Sequence, residues 1–180
     1  PMKVLEPIRS DPIKAYQQRA KRLERLAAAQ LPEVHAVGQI KYGIGISCDL
    51  SEGVMCRYKV TCGEAWDLIG GNSVGQTQVV YPKLDLNEML PLNHPLDMHL
   101  SQASFQSGGT PRITVQTYRL DVYGRRIMSG YGFAHIPTSS GHYNIEIPLW
   151  RPSGTPEQEL AARYLGEVPS LVSAEPLFDS

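Results

Sequence analysis

Between Val34 and Pro152 apolar and polar side chains alternate repeatedly with a period of two. Val54, Cys56, Tyr58, Val60 and Cys62 interleave with Met55, Arg57, Lys59 and Thr61. Leu96, Met98 and Leu100 interleave with Asp97, His99 and Ser101, and Ile113, Val115 and Thr117 with Arg112, Thr114 and Gln116. Tyr143, Ile145 and Ile147 do the same against His142, Asn144 and Glu146. Successive side chains of a strand point to opposite faces, so each run predicts an antiparallel strand with one dry and one wet face. Turn-forming groups separate the runs: Gly70-Gly71-Asn72, Ser107-Gly108-Gly109, Tyr123-Gly124 and Ser139-Ser140-Gly141. Short strands at this spacing, with no helices between them, predict an all-β antiparallel sandwich.

Two stretches follow a helical period instead. Asp11 suits a helix cap and Pro12 the first position, where a missing N–H costs nothing. Ile13, Tyr16, Ala20, Leu23 and Ala27 then recur in steps of three and four, which places them on one stripe, with Lys14, Arg19, Lys21 and Arg25 elsewhere around the helix. Pro32 stops it. A lone amphipathic helix of this length is marginal in water, so the stripe is expected to dock on the domain or on a partner. After Trp150-Arg151-Pro152, Thr155 is placed to cap a short helix from Pro156 to Leu165 that Gly166 ends, and the rest reads as irregular tail. The chain thus divides into an N-terminal arm with its helix (1–32), a sandwich core (33–152) and a short helix with tail (153–180).

With 180 residues, 42% apolar and 19% charged, the chain has enough material to bury a core and lacks the composition of a disordered one. No apolar run is long enough to span a bilayer, and the first residues have no secretory apolar stretch. Pro1 ahead of Met2 reads as a remnant of cleavage, with a native start at Met2. Cys48, Cys56 and Cys62 are an odd number without metal-binding spacing, which suggests reduced thiols in the cytosol. Charge is uneven. Residues 1–30 carry seven bases against three acids, +4, leaving −5 on the remainder. A basic arm on an acidic body suits anionic lipid, nucleic acid or an acidic partner, although a solvated helix face is the plainer reading.

No residue pattern in the chain points to a reaction. There is no GxSxG, and no base is expected to act on any of the three cysteines to lower its pKa. Cys56 and Cys62 share the dry face of their run and are expected to pack as small apolar groups. The five histidines lack the spacing of a zinc protease pair, so they read as surface or strand-edge residues, and no metal ligand is expected among them. Gly43 and Gly45 form a GxG without a third glycine or a following helix, which does not support a phosphate loop. Asp49 and Glu52 in one loop, with Asp121 facing Arg125 and Arg126 in another, are too few carboxylates for tight calcium binding.

Residues 130–152, GYGFAHIPTSSGHYNIEIPLWRP, resemble the signature of the B9-domain family, C2-like sandwiches of the ciliary transition zone. EVHAVGQI (33–40), CGEAWDLIGG (62–71) leading into GQTQV (75–79), HPLDMHL (94–100) and the hairpin residues Val122-Tyr123-Gly124-Arg125 extend the resemblance in order, over residues 33 to about 171. A signature of glycines, prolines and aromatics preserves a fold: Gly130 and Gly132 let a strand bend, Tyr131 covers the gap, Pro137 ends the strand and Gly141 helps reverse the chain. Trp66 and Trp150 are expected to plug the ends of the core, with Arg151 and Pro152 completing the signature. The resemblance implies a C2-like sandwich with no catalytic residue, cofactor or metal. It implies a non-enzymatic subunit of the Meckel-syndrome-type assembly on the cytoplasmic side of the ciliary base, binding other B9-domain and transition-zone proteins through strand edges and loops. An anionic membrane surface is the alternative partner; nucleic acid and small-molecule substrates are not expected. Family members run past a tail of this kind to a final apolar strand, so the resemblance also implies either truncation before that strand or a last strand supplied otherwise.

Overall fold

The alternating runs become strands in a computed structural model that describes residues 16, 20–21, 31–46, 48–83, 89–102, 109–158 and 160. In chain order they are β1 (Glu33–Ile44), β2 (Gly53–Thr61), β3 (Trp66–Gly71), β4 (Val74–Gln76), β5 (Met89–Gln102), β6 (Arg112–Leu120) and β7 (Arg126–His135). Every pairing is antiparallel. One sheet has the order β1-β5-β3 and the other β4-β2-β6-β7. The dry faces meet between them: Cys56, Tyr58 and Val60 of β2 and Ile113 and Val115 of β6 pack with Leu92, Met98 and Leu100 of β5. Leu100 is 0% exposed, a burial that contributes about 2 kcal/mol. Trp66 opens β3 half-buried against this cluster.

Strand β5 is longer than its alternating segment foretells because Pro91 and Pro95 belong to it. Proline lacks the N–H that an interior strand must donate. Both prolines lie opposite β1, at Tyr42 and Gln39, while β3 pairs β5 only from Met98 onward, so there β5 has one neighbour among the described residues and needs fewer donors. The register slips between Ile40 and Tyr42, where Asn93 takes a left-handed φ of 44°. An unpaired residue of that kind bends a strand and increases its twist. Gly71 closes β3 with φ 88°, and the Asp97 carbonyl stands where a β-carbon would go. Only glycine fits there without strain.

One expectation changes. Residues 142–147 are not a strand; Tyr143 and Ile145 are exposed and only Ile147 packs on the core. The chain leaves the sheet plane to pass over β7, so the alternation records one inward residue and not a ladder. Of the expected N-terminal helix, Tyr16, Ala20 and Lys21 are helical, and the rest of the stretch lies outside the described residues. Ile13, Leu23 and Ala27 lie outside the described residues, whereas Tyr16 is 75% exposed and Ala20 half-buried. At the other end Thr155 and Gln158 form a reciprocal pair: the Gln158 N–H donates to Thr155 Oγ1 at 3.3 Å and the Thr155 N–H to Gln158 Oε1 at 3.0 Å. This capping box starts a helical turn at residues 156–158, and most of the stretch expected to follow lies outside the described residues.

Candidate functional site

The signature residues form a seam that closes one side of the sandwich. Tyr131 and Trp150 exchange backbone hydrogen bonds, 2.7 Å from the Tyr131 N–H to the Trp150 carbonyl and 2.8 Å in return. Their rings meet at 5.7 Å between centroids with 38° between planes. Just before Trp150, the chain runs over the inner face of β7. Gly132 lies opposite Val115, a core residue, so its missing β-carbon would point inward. There it would stand 2.8 Å from both Ile147 Cγ2 and the Pro148 carbonyl oxygen. Gly130 leaves similar room for Leu149, at 3.3 Å. The two glycines are therefore the floor on which 147–150 rests, and an extra residue in β7, Ser129, puts a bulge beside them. Tyr131 is buried by this arrangement; Trp150 stays 38% exposed and packs on Tyr131, not in the core cluster. Beyond β7, the Ile136 N–H donates to the Pro111 carbonyl just before Pro137, and Gly141 lies against the Tyr143 ring, whose hydroxyl is 2.6 Å from Ser139 Oγ. Arg151 is exposed and Pro152 half-buried after the seam.

The loop acids are engaged by the protein's own groups. Glu52 Oε2 accepts from Arg119 at 3.3 Å and from the Asp49 N–H at 3.1 Å. In the β6–β7 turn Asp121 accepts from the Tyr123 and Arg125 N–H groups at 2.9 and 2.8 Å and from Arg125 Nε at 2.6 Å. Desolvation raises the Asp121 carboxyl, but hydrogen bonds from Arg125 and Tyr123 outweigh it and hold the group below its ordinary value. Gly53 pairs with Leu120, so both loops sit at the same end of the sheet. That end presents two exposed apolar side chains, Val122 at 68% and Tyr123 at 81%, with the Arg125 guanidinium 5.4 Å from the Tyr123 ring.

Strand β1 offers the longest open edge. It pairs with β5 alone among the described residues, and its burial alternates with many exposed positions. Val37 is 81% exposed; Tyr42, Ile44 and the cross-strand neighbour of Ile44, Met89, add exposed apolar surface. An unpaired edge of this length is a template for another chain. None of the three thiols is poised as a nucleophile. Burial pushes Cys56 up to about 12, and burial also raises Cys48 and Cys62, aided by Glu52 and by Asp67 respectively.

One cluster was not legible in the sequence. His35 and His99 face each other across β1 and β5 with stacked rings, 3.8 Å between centroids, and Glu33 Oε2 lies 2.9 Å from His99 Nε2. Spacing along the chain could not reveal a group joined by the register of strands 66 residues apart.

The comparisons with known proteins agree with the signature. A family model described as "Ciliary basal body-associated, B9 protein" matches residues 34–180. The chain is similar to B9 domain-containing protein 2 of Mus musculus, 35% identical over 148 residues that cover 82% of this chain and 81% of that protein. The Drosophila melanogaster protein of the same name is 34% identical over 151 residues, 82% of this chain and 80% of the relative. B9 domain-containing protein 1 of Homo sapiens is 30% identical over 115 residues, 63% of this chain and 55% of that protein. No helix among the described residues is long and apolar enough to cross a membrane.

Proposed function

Since this chain belongs to the family of ciliary basal body-associated B9 proteins, we propose that it acts as a non-enzymatic structural subunit of the Meckel-syndrome-type assembly at the ciliary transition zone. In that role it binds other B9-domain proteins and supports cilium assembly and gating. The observation that carries the reading is the signature seam. The residues most characteristic of the chain, Gly130, Tyr131, Gly132 and Trp150, spend their chemistry on closing a sandwich and leave no reactive group behind. With the scaffold fixed in that way, function falls to surfaces, and the open β1 edge with its apolar neighbours is the surface best suited to a protein partner. Co-purification with the other two B9-domain proteins of the same organism, with and without residues 1–30, tests the proposal. A stable complex is expected, and loss of the complex on removing the arm would assign part of the interface to the stripe Ile13, Tyr16, Ala20, Leu23 and Ala27. A well-folded chain that captures neither protein, or a tagged chain that does not concentrate at the ciliary base, overturns it.

The second reading, a peripheral module on anionic lipid without calcium, is favoured by the Val122-Tyr123 tip. An apolar pair flanked by Arg125 and Arg126 suits a headgroup layer, and the basic arm would add attraction. Flotation with phosphatidylserine vesicles at low salt separates the readings. Binding lost in Tyr123→Ser supports the lipid role, and no binding where electrostatic attraction is strongest removes it.

A further inference from the structure

We propose that Glu33, His35 and His99 form a binding site for a divalent transition-metal ion, zinc foremost, that clamps edge strand β1 to β5. This site is independent of the assembly role. Two features of the geometry support it. The ligand atoms of the three side chains all lie within 4.8 Å of one another. Ligands around a tetrahedral zinc at ordinary bond lengths stand about 3.4 Å apart, so the set must tighten and the stacked imidazoles must turn for both to face one ion. Each side chain also projects from a regular ladder: His35 is directly opposite His99, and Glu33 is two residues before His35 on the same face. Strands hold such positions more firmly than loops do.

The donor set selects the ion. Two imidazoles and one carboxylate suit zinc and its neighbours, whereas calcium and magnesium require oxygen ligands. His99 and Glu33 keep 26% and 44% of their side-chain surface in solvent, so an ion can enter and water can complete its coordination. Ser101 lies opposite Glu33 in the register, and its buried hydroxyl has no hydrogen-bond partner among the described residues. It is placed to support the carboxylate once Glu33 turns toward an ion, as outer-shell donors commonly do. An ion that binds only when β1 and β5 are paired stabilises that pairing by mass action.

The alternative is an ordinary surface ion pair between His99 and Glu33 with a stacked neighbour. The discriminating experiment titrates the full chain with Zn²⁺ by calorimetry, follows thermal unfolding with and without the ion, and records the Co²⁺ spectrum. Binding of one equivalent, a raised melting temperature and visible d–d bands without a thiolate charge-transfer band are expected. His35→Ala and Glu33→Gln, both at exposed positions, should each weaken Zn²⁺ about tenfold or more, while His142→Ala leaves it unchanged. Absence of binding, undiminished binding in His35→Ala, or a thiolate band that moves the ion to the cysteines would overturn the proposal.

Discussion

Strands β7 and β1 are both edges, one in each sheet, yet they end differently. The edge of β7 is sealed at Tyr131 by Trp150, and its inner face is covered by Ile147 to Leu149. The outer edge of β1 has no strand partner among the described residues, and Val37 projects almost fully into solvent. Glycines make the first arrangement: a side chain at Gly132 would meet the Pro148 carbonyl. Solvated and apolar residues in alternation make the second. The contrast teaches that a signature rich in glycine and aromatic residues marks where the sandwich closes on itself. The other edge carries no such seal among the described residues.

Four measurements put that contrast to the test. The largest effect is expected from Gly132→Ala, whose methyl group enters the space of a backbone carbonyl; a loss of about 2–3 kcal/mol should appear in urea unfolding. Trp150→Ala keeps the backbone exchange with Tyr131 but removes the ring contact, and a loss of about 1–2 kcal/mol is expected by the same method. Val37→Lys on β1 should change stability by less than about 0.5 kcal/mol and yet diminish capture of the other B9-domain proteins. Equal losses of stability from Gly132→Ala and Val37→Lys would erase the distinction between sealed and open edges. The smallest effect concerns the β6–β7 turn. The Asp121 carboxyl is held below its unfolded value, so its contribution is present above the ordinary carboxylate range and is lost as pH falls through the lowered value. The amide resonances of Tyr123 and Arg125 should shift together in that acidic window, and Asp121→Asn should remove the transition.

The strands with one dry face were legible because period two leaves its trace wherever a sheet is half-buried: Cys56, Tyr58 and Val60, Met98 and Leu100, and Ile113 and Val115 all point into the core. Residues 142–147 carry the same trace for a different reason. Ile147 must reach the core while Tyr143 and Ile145 face solvent, and nothing in the local pattern separates that path from a ladder. The prolines of β5 hid the first half of that strand, since their tolerance depends on β3 being too short to need their missing donors. The role of Gly130 and Gly132 was half legible. A bend was readable from the residue types, but the segment resting on them was not, because that contact exists only once the chain has turned back. The imidazole pair of His35 and His99 needed the register itself.

The short return from β7 to Trp150 also bears on the order in which the molecule assembles. Closing it joins residues near one another in sequence and restricts little chain, whereas pairing Glu33 with Ser101 must gather everything between them. Loop-closure entropy therefore favours the seam as an early event and leaves β1 to arrive late.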